Sequence, residues 1–410
     1  MAHVIYLTQD GITDHIGQAQ VAPYLLGLGR EGHKIHIVSA EKPGRPALMA
    51  KYRALFEAAG IRWSHVPYAN RPPLVSSFMV LWRMYKLARS VMRAEGQSLI
   101  HVRAYLPLEL AVRLKREFGA KLLVDFRDFW ADVGLEKKPF KFVYRHLKRR
   151  EPHYLGAADE IVTLTDKAAD ILTSWYPEAV GGDRSRYHII PCCADFSHFD
   201  PDKVDRAAVE RRRRELDLGA GPVLLYLGSI GYDYLVPEMF KLFAALQRLR
   251  PDAKFLFLTN NSAADVEQAR IAAGVSADAI RFASVDRAHV PEYIGLANLS
   301  VVFIRATQSK AGCSPTKLAE LFACGVPVIA NAGVGDMDEI IEFSRNGSVV
   351  VPDFDEGTLL SAVQQVLALG PDQRGRIRGE SFGFSLEEGV KRYGRIYRTL
   401  SSETPISKAA

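Results

Sequence analysis

The residues with the clearest chemical potential lie in one stretch of the C-terminal half, Ala311–Asn331, which reads AGCSPTKLAELFACGVPVIAN. Ser314 is a typical N-cap residue and Pro315 suits a first helical turn, so we predict a helix over Thr316–Ala323. The unpaired backbone N–H groups and the positive dipole end at the start of that helix would bind an anion.

Two charged side chains of this predicted helix extend the same site. Lys317 lies in the first turn, beside the expected anion. Glu320 follows three residues later, close to the same helix face, and its carboxylate could accept hydrogen bonds from a diol such as a ribose. By spacing alone, the two residues also fit an ordinary surface ion pair on a capped helix.

Short β-branched runs alternate with amphipathic stretches along the chain, which is the pattern of βαβ units and parallel sheets. The first set of predicted strands is His3–Thr8, Lys34–Ser39, Leu99–Val102, Lys121–Asp125, Glu160–Leu164 and Tyr187–Ile190. The second set is Pro222–Leu227, Lys254–Leu258, Ala279–Phe282, Ser300–Ile304, Pro327–Ala330 and Gly347–Val351. Each set of six is expected to form one doubly wound, Rossmann-like sheet, and the strand carboxyl ends of the two sheets are expected to face a ligand cleft.

Length and composition fit two α/β domains. The chain has 410 residues, of which 48% are hydrophobic, which is too long for one core and sufficient for two. A polar, proline-punctuated segment at 191–221 separates the two sets of strands, and we place the boundary between residues 196 and 197. The run Arg211–Arg214 within it is interpreted as a solvated helix, since four consecutive arginines do not line one helix face.

Charge and cysteine content bear on the partners and the cellular compartment of the protein. The formal net charge of +6 is compatible with an anionic membrane, an anionic substrate, nucleic acid or ordinary surface variation. The cysteines, Cys192, Cys193, Cys313 and Cys324, include no CxxC pair, so we propose no metal site and expect a reducing compartment. Neither a signal peptide nor a run of about 18 apolar residues is present, which predicts a cytoplasmic protein that does not span a membrane.

Two segments combine basic and aromatic residues in a way that suits an anionic membrane surface. One is 137–150, with Lys137, Lys138, Lys141, Arg145, Lys148, Arg149 and Arg150. The other is Ser77–Arg93, with Arg83, Lys86, Arg89 and Arg93 beside Phe78, Leu81, Trp82 and Tyr85. Peripheral binding to the inner face of a membrane and a plain solvated helix face are both compatible with these patterns.

The stretch SPTKLAE followed by ACGVPVIAN resembles the donor-binding motif of glycosyltransferase family 4 and its polysaccharide-biosynthesis relatives. Further segments are similar to that family in the same order: TQDGITDHIGQAQVAPYLLGLGREGHKIHIVS, SLIHVRAYLPLEL, LLVDFRDFWAD and IIPCCADFSHF. One more segment, FSLEEGVKRYGRIYRTL at 384–400, resembles the family's closing helix, which crosses back onto the N-terminal domain.

The resemblance implies a GT-B fold and a transfer reaction. Residues 1–196 with the returning segment 384–410 would form an acceptor-binding domain, and residues 197–383 would bind the donor. The implied activity is transfer of a sugar from a nucleotide-sugar, UDP- or GDP-linked, to a polysaccharide or lipid-linked saccharide acceptor. Retention of anomeric configuration and independence of metals and cofactors are further expectations.

The resemblance also assigns donor-site residues. Glu320 would hold the ribose, and Ser314, Thr316 and Lys317 would face the diphosphate. Gly17 would allow the backbone to approach donor phosphate and acceptor, with Asp14, His15 and Gln20 beside it. Gly228 and Ser229 match the loop after the first strand of the second domain.

Three positions depart from the family pattern. The first residue of the usual glutamate pair falls on Gly312, which leaves the stereochemical course open. The basic pair expected near Gly228 is missing from GSIGYDYLVPE, so Arg305, Lys310 and Lys317 are the candidates to meet the phosphate charge. Arg127 stands where a catalytic histidine is frequent.

Polar residues in the first domain, several of them at strand ends, complete the set of candidate site residues. Asp14, His15, Asp125 and Arg127 are the catalytic candidates, and Gln20, His101, Arg103 and Asp128 are the candidates for acceptor binding. The alternatives are an internal ion pair of aspartate with arginine, and a core histidine at 101. Phosphate of the leaving group could itself deprotonate the acceptor.

Two other functions share this architecture. A nucleotide-sugar 2-epimerase would turn over donor without acceptor, and a silent partner subunit would keep the fold while losing site residues. Binding to nucleic acid is disfavoured, because the basic residues are not regularly interleaved with exposed aromatic ones.

Overall fold

The chain folds into two α/β units. The computed structural model describes residues 1–182, 184–370 and 372–402. Unit 1 contains Met1–Pro191 and the segment that begins at Leu386, and unit 2 contains Cys192–Ser385.

Unit 1 is built on a parallel sheet of seven strands in the order β3-β2-β1-β4-β5-β6-β7. The strands are β1 (His3–Thr8), β2 (Lys34–Glu41), β3 (Arg62–Pro67), β4 (Leu99–Arg103), β5 (Lys121–Phe126), β6 (Glu160–Thr163) and β7 (Tyr187–Ile189). The helices are α1 (Ala22–Arg30), α2 (Pro46–Ala58), α3 (Val75–Glu95), α4 (Leu108–Phe118), α5 (Trp130–Lys137), α6 (Lys141–Ala157), α7 (Asp166–Trp175) and α8 (Pro177–Val180). A single π-helical turn, Gly17–Val21, leads into α1.

The seventh strand of this sheet, β3, was not predicted, so the expectation of six strands in unit 1 is wrong. Its sequence, RWSHVP, lacks a β-branched run, and only Trp63 and Val66 are buried. The strand lies at the edge of the sheet, beside β2. A half-exposed edge strand of this kind carries a weaker apolar signal than a central strand does.

Unit 2 contains a parallel sheet of six strands in the order β10-β9-β8-β11-β12-β13. The strands are β8 (Val223–Leu227), β9 (Lys254–Leu258), β10 (Ile280–Ala283), β11 (Leu299–Val302), β12 (Val328–Asn331) and β13 (Val349–Val351). The helices are α9 (Arg206–Glu215), α10 (Val236–Leu249), α11 (Glu267–Ala272), α12 (Val290–Ile294), α13 (Thr316–Ala323), α14 (Met337–Ile340), α15 (Phe343–Asn346), α16 (Glu356–Leu367) and α17 (Gln373–Glu380). The prediction of two doubly wound, Rossmann-like parallel sheets is confirmed.

Both faces of the second sheet are covered, as the central strand β8 makes clear. Val223, Leu225 and Leu227 pack into the core on one face, and Leu224 and Tyr226 pack into the core on the other. Successive side chains of a strand point to opposite faces, so a strand buried on both sides must be apolar throughout. This is why β8 could be recognised from its sequence, VLLYL.

The last described helix, α18 (Leu386–Ser402), belongs to unit 1, which confirms the returning helix implied by the family resemblance. Its buried face includes Val390, Tyr393, Ile396, Tyr397 and Leu400, spaced at three to four residues. Close approach to α1 is possible because a Cβ at Gly27 would lie 2.5 Å from a Val390 methyl. Residues 403–410 of the predicted returning segment lie outside the described part of the chain.

The chain passes between the units twice, after Pro191 and after Ser385. Unit 2 begins at Cys192, whereas the sequence analysis placed the start of the second domain at residue 197. Ala194 and Phe196 account for the difference, because both pack in the core of unit 2 together with Phe199. Over the residues that the structure describes, no helix is long and apolar enough to cross a bilayer.

Removal of a large side chain from α18 should destabilise unit 1. Tyr397 is completely buried, so we expect Tyr397→Ala to lower the free energy of unfolding by about 3–5 kcal/mol. Urea denaturation followed by circular dichroism measures the loss. Thr399→Ala, at an exposed position of the same helix, is the matched control and should change stability by less than about 0.5 kcal/mol. Equal stability of the two variants would contradict the docking of α18.

Candidate functional site

The loop that follows β8 brings a lysine amine against a glycine. Gly228 has φ +121°, a backbone conformation that side chains rarely allow, and a Cβ there would lie 3.0 Å from Lys317 Nζ. A glycine at 228 therefore leaves the space that the amine fills. The structure thus brings together two residues that the sequence analysis assigned to donor binding from separate motifs.

Helix α13 begins at Thr316, as predicted, but its N-cap differs from the prediction. Pro315 occupies the N-cap position, and the Ser314 hydroxyl instead accepts a hydrogen bond of 3.1 Å from the backbone N–H of Cys192. The expectation that Ser314 caps α13 is therefore wrong. Because the Ser314 side chain holds the start of unit 2, the first backbone N–H groups of the helix are left for another acceptor.

Lys317 is enclosed by aromatic rings. Its Nζ lies 4.5 Å from the centre of the Tyr226 ring and 4.1 Å from that of Tyr234. Burial lowers the pKa of Lys317 from 10.5 to about 7, and the neighbouring Cys313 and Glu320 only partly oppose this effect. The lysine therefore changes charge near neutral pH, and an anion bound beside it would favour the charged form.

Glu320 is buried on α13 and is held by an arginine that the sequence analysis did not single out. Arg287 donates a hydrogen bond of 3.0 Å from Nη1 to Glu320 Oε1. Burial raises the pKa of Glu320, while Arg287 and Lys317 act in the opposite direction. Glu320 therefore does not simply pair with Lys317 on the helix surface. Arg287 lies in a short turn after β10, without any motif to mark it.

The other two candidate phosphate ligands contact the segment Tyr232–Tyr234. The Arg305 guanidinium lies 4.8 Å from the Tyr232 ring centre and is exposed. Lys310 Nζ lies 3.3 Å from a carboxylate oxygen of Asp233. Since Lys317 contacts Tyr234, all three basic residues converge on three consecutive residues just beyond Gly228 and Ser229.

In unit 1, a buried carboxylate shapes the loop after β1. Glu41, at the end of β2, accepts hydrogen bonds from the backbone N–H groups of Ile12 and Thr13, at 2.6 and 3.2 Å. It also accepts one from the Thr13 hydroxyl at 2.8 Å. Gly17 packs on this loop so tightly that a Cβ would lie 2.1 Å from the carbonyl oxygen of Gly11. Glycine at 17 is therefore required by the protein's own backbone, whatever else approaches it.

The residues around Gly17 differ in their surroundings. Asp14 forms ion pairs with Lys42 at 3.0 Å and Arg45 at 2.6 Å. His15 is exposed and Gln20 is buried. Asp14 is therefore held in place by two cations of its own unit.

A cluster of buried polar residues lies at the ends of β4 and β5. Asp125 Oδ2 is 3.2 Å from an Arg103 nitrogen, and Asp125 Oδ1 is 3.4 Å from one of Arg127. Burial by itself raises the pKa of Asp125, but Arg127, His101 and Arg103 outweigh it and hold that pKa well below its usual range. Asp125 is therefore a permanent anion and a poor proton acceptor.

His101 links this cluster to the returning helix. Its Nδ1 lies 2.7 Å from the Tyr397 hydroxyl and its Nε2 lies 3.8 Å from Asp125 Oδ2. Burial lowers the pKa of His101, so the neutral ring accepts from Tyr397 and turns its N–H toward the carboxylate. Arg127 in turn lies 3.4 Å from the Tyr393 hydroxyl. These contacts favour the alternative interpretation of His101 as a core histidine.

A cavity of about 500 Å³ opens at this edge of the unit 1 sheet. It is lined by Gln9, Asp10, Asp14, Ile16, Lys42, Tyr68, Arg103, Ala104, Tyr105, Leu106, Arg127, Asp128 and Trp130. Four candidates from the sequence analysis meet here, namely Asp14, Arg103, Arg127 and the exposed Asp128. Asp10 and the aromatic residues were missed, because no spacing or motif distinguishes them.

The backbone beside the cavity is strained at one residue. Ala104 directly follows β4 and has φ +69°, a conformation that costs a residue with a side chain of order 1–3 kcal/mol. Such strain is retained where neighbouring contacts dictate the backbone. Arg103 and Tyr105, on either side, both face the cavity.

Comparison with known proteins identifies the family. Residues 17–193 match the glycosyl transferase 4-like domain, and residues 221–368 match the glycosyl transferases group 1 domain. This chain belongs to the family 4-like glycosyltransferases. It is therefore an enzyme of glycosyl transfer, as the resemblance implied. A search of curated protein sequences found no significant match.

Solved glycosyltransferase structures share the fold over the whole chain. A glycosyltransferase from Rickettsia africae is 15% identical with a TM-score of 0.69, covering 98% of this chain and 99% of its own. Anabaena Alr3699/HepE in complex with UDP and glucose is 13% identical with a TM-score of 0.66, covering 98% and 100%. WaaG, a glycosyltransferase involved in lipopolysaccharide biosynthesis, is 15% identical with a TM-score of 0.64, covering 96% and 99%.

The buried Lys317 makes the stability of the protein depend on pH in a defined direction. Its folded-state pKa of about 7 lies below the unfolded value of 10.5, so the full cost of burying the ammonium is present below about pH 7. That cost falls as the pH rises toward 10.5. Between about pH 6 and about pH 9, we expect wild type to gain about 2–3 kcal/mol of stability relative to Lys317→Met.

Denaturant unfolding at the two pH values measures this gain. Lys241→Met, at an exposed position of α10, is the matched control. If Lys317→Met and the control show the same pH dependence, Lys317 does not titrate in the folded protein as described.

Proposed function

We propose that this glycosyltransferase moves a sugar from a UDP- or GDP-linked donor to a polysaccharide or lipid-linked saccharide, and that unit 2 binds the donor. The observation that carries the proposal is the meeting of Lys317 with the Gly228 loop, one turn before the buried Glu320. A cation beside a glycine suits a diphosphate, and a buried carboxylate suits the adjoining ribose diol.

The diphosphate would be held without a metal or cofactor. The start of α13 offers backbone N–H groups, and Lys317, Arg305 and Lys310 offer positive charge around the same segment. These donors stabilise the charge that develops on the leaving group when the glycosidic bond breaks. The basic residues thus compensate for the cation pair that is missing from the Gly228 loop.

Glu320 is suited to the ribose because Arg287 uses one of its two carboxylate oxygens. The other oxygen would accept hydrogen bonds from the ribose hydroxyls. Anabaena HepE supports a nucleotide-sugar donor, since that protein has been crystallised with UDP and with UDP-glucose.

The acceptor would occupy the cavity of unit 1. Tyr68, Tyr105 and Trp130 provide aromatic faces for sugar rings, and charged groups of both signs provide hydrogen bonds to hydroxyls. We propose retention of anomeric configuration, which rests on the family resemblance.

Peripheral association with an anionic membrane is part of the proposal, with localisation on the cytoplasmic side. Helix α3 exposes Val75, Phe78, Met79 and Trp82, which share one face of the helix. Phe78 is 70% exposed, and Lys86 Nζ lies 3.7 Å from the centre of the Trp82 ring. An exposed apolar face beside Arg83 and Lys86 is suited to a lipid headgroup region.

Several basic residues of the two membrane segments are engaged within unit 1. Arg89 and Arg93 form ion pairs with Glu117, and Arg150 pairs with Glu109. Lys148 pairs with Asp132 and Glu151 at 2.8 Å each. The membrane proposal therefore rests on α3 and on the exposed Phe140 and Phe142.

Glu320→Gln tests the donor site. The ribose would lose a charged acceptor, and one such hydrogen bond is worth about 1.5–3 kcal/mol, so donor affinity should fall at least tenfold. Titration of UDP- and GDP-sugars by calorimetry measures the affinity. Glu210→Gln, at an exposed position of α9, is the matched control. A folded Glu320→Gln protein that binds donor like wild type would contradict the donor site.

The same assay separates transfer from the alternative activities. Donor turnover that requires a saccharide acceptor supports transfer, whereas donor turned over equally without acceptor would indicate an epimerase or hydrolase. Donor binding without any turnover would indicate a silent subunit.

Flotation with liposomes tests the membrane face. We expect binding to anionic vesicles to exceed binding to neutral ones by at least tenfold, since Arg83 and Lys86 each contribute roughly 1 kcal/mol near the surface. The double variant Phe78→Ser and Trp82→Ser should abolish flotation, while Ile271→Ser, at an exposed site of unit 2, should not. Equal binding to both vesicle types would exclude electrostatic docking.

A further inference from the structure

The carboxylates at the unit 1 cavity differ in how they are held. Asp14 is paired with Lys42 and Arg45, and Asp125 is paired with Arg103 and Arg127. Asp10 lines the same cavity. Over residues 1–182, 184–370 and 372–402, no ion-pair or hydrogen-bond partner contacts its carboxylate within the usual distances. An anion that faces a cavity without a partner has its oxygens available to a ligand.

The backbone keeps Asp10 in a defined place. The residue lies two positions beyond β1, at the carboxyl edge of the sheet, and its N–H donates to the Thr8 hydroxyl at 3.1 Å. Thr8 is completely buried. Beyond Asp10, the chain enters the loop that Glu41 holds through Ile12 and Thr13. A group fixed on both sides loses little entropy when a ligand binds to it.

The charges around Asp10 leave it able to exchange a proton. Burial raises its pKa, Arg103 and Lys42 lower it, and Asp14 raises it. Tyr6, which also interacts with Asp10, stays protonated because burial raises its own pKa. Asp10 is therefore a stronger base than the permanently ionised Asp125.

We propose that Asp10 is a catalytic residue that accepts the proton of the acceptor hydroxyl. The inference rests on the proposed function and deepens it by assigning the cavity to the reacting hydroxyl of a saccharide. As the acceptor oxygen bonds to the anomeric carbon, its proton passes to Asp10. The bond from that carbon to the diphosphate breaks, and its electron pair leaves with the nucleotide diphosphate. The resulting carboxylic acid then releases the proton to solvent.

The neighbouring residues have supporting roles in this step. Arg103 is fixed from behind by Asp125, so it presents a constant positive charge that favours the ionised form of Asp10. Tyr105 and Trp130 stack with ring centres 5.9 Å apart and form an apolar side of the cavity. A sugar ring against this side would turn its hydroxyls toward the charged side.

The variant Asp10→Asn tests the assignment, because it keeps the shape and loses the base. Release of UDP or GDP from a panel of nucleotide-sugars is measured with p-nitrophenyl glycosides as acceptors, over a range of pH. We expect kcat to fall at least 100-fold, which is the usual scale for loss of a general base, with donor affinity unchanged within twofold. The decline of the wild-type rate toward low pH should be absent from the residual rate of the variant. Asp166→Asn, at an exposed position of α7, is the matched control.

The outcomes separate this inference from the proposed function. A folded Asp10→Asn enzyme with wild-type kcat would overturn the role of Asp10 while leaving sugar transfer intact. A raised KM with unchanged kcat and an unchanged pH profile would also overturn it, since Asp10 would then only bind the acceptor. A wild-type protein that neither binds nor turns over any nucleotide-sugar would overturn the proposed function and this inference with it. If Asp10→Asn does not fold, Asp10→Glu must retain a rate intermediate between wild type and background, and a background rate would count against the assignment.

Discussion

The ion pairs of Asp125 determine how the carboxyl edge of the unit 1 sheet is arranged. Two guanidinium groups from neighbouring strand ends repel each other, and a buried cation that lacks its partner costs about 3–5 kcal/mol. One carboxylate between Arg103 and Arg127 allows both to stay close together. The same carboxylate faces Nε2 of His101. The other ring nitrogen of His101 contacts the Tyr397 hydroxyl of the returning helix. Arg103 and Arg127 therefore form a positively charged side of the cavity, because Asp125 pairs with both of them.

In unit 2, neighbouring cations are stabilised in a different way. Its cations are not gathered around a buried anion but around the segment Tyr232–Tyr234, where two aromatic rings and one carboxylate receive them. Aromatic faces attract a cation without neutralising it. The positive charge of Arg305 and Lys317 therefore remains available to a ligand, whereas Asp233 partly neutralises Lys310. This difference suits a site for an anion in unit 2 and one for hydroxyl groups in unit 1.

The sequence predicted most of the fold because central parallel strands are continuous apolar runs, as β8 illustrates. It failed at β3, where alternation on an exposed edge replaced such a run. In the site, α13 and the assignment of both Lys317 and Gly228 to the donor site followed from motifs, whereas their contact did not. The prediction for Ser314 was wrong because its hydroxyl accepts the distant Cys192 N–H instead of capping α13. Tertiary packing brings Arg287, Tyr226 and Asp10 to their sites, and no local sequence pattern predicts such contacts. The three-residue spacing of Lys317 and Glu320 also fitted a surface ion pair. In the structure both residues are buried, and Glu320 accepts a hydrogen bond from Arg287.

The returning helix also governs the order in which the chain can fold as it is synthesised. Unit 2 is one uninterrupted segment, Cys192–Ser385, and all its strands have been made before α18 begins. Unit 1 lacks Tyr393 and Tyr397 until α18 has emerged from the ribosome. Domains generally fold as units during synthesis. Here the second unit is complete first, and the buried polar cluster of the first unit stays incomplete until α18 has been made.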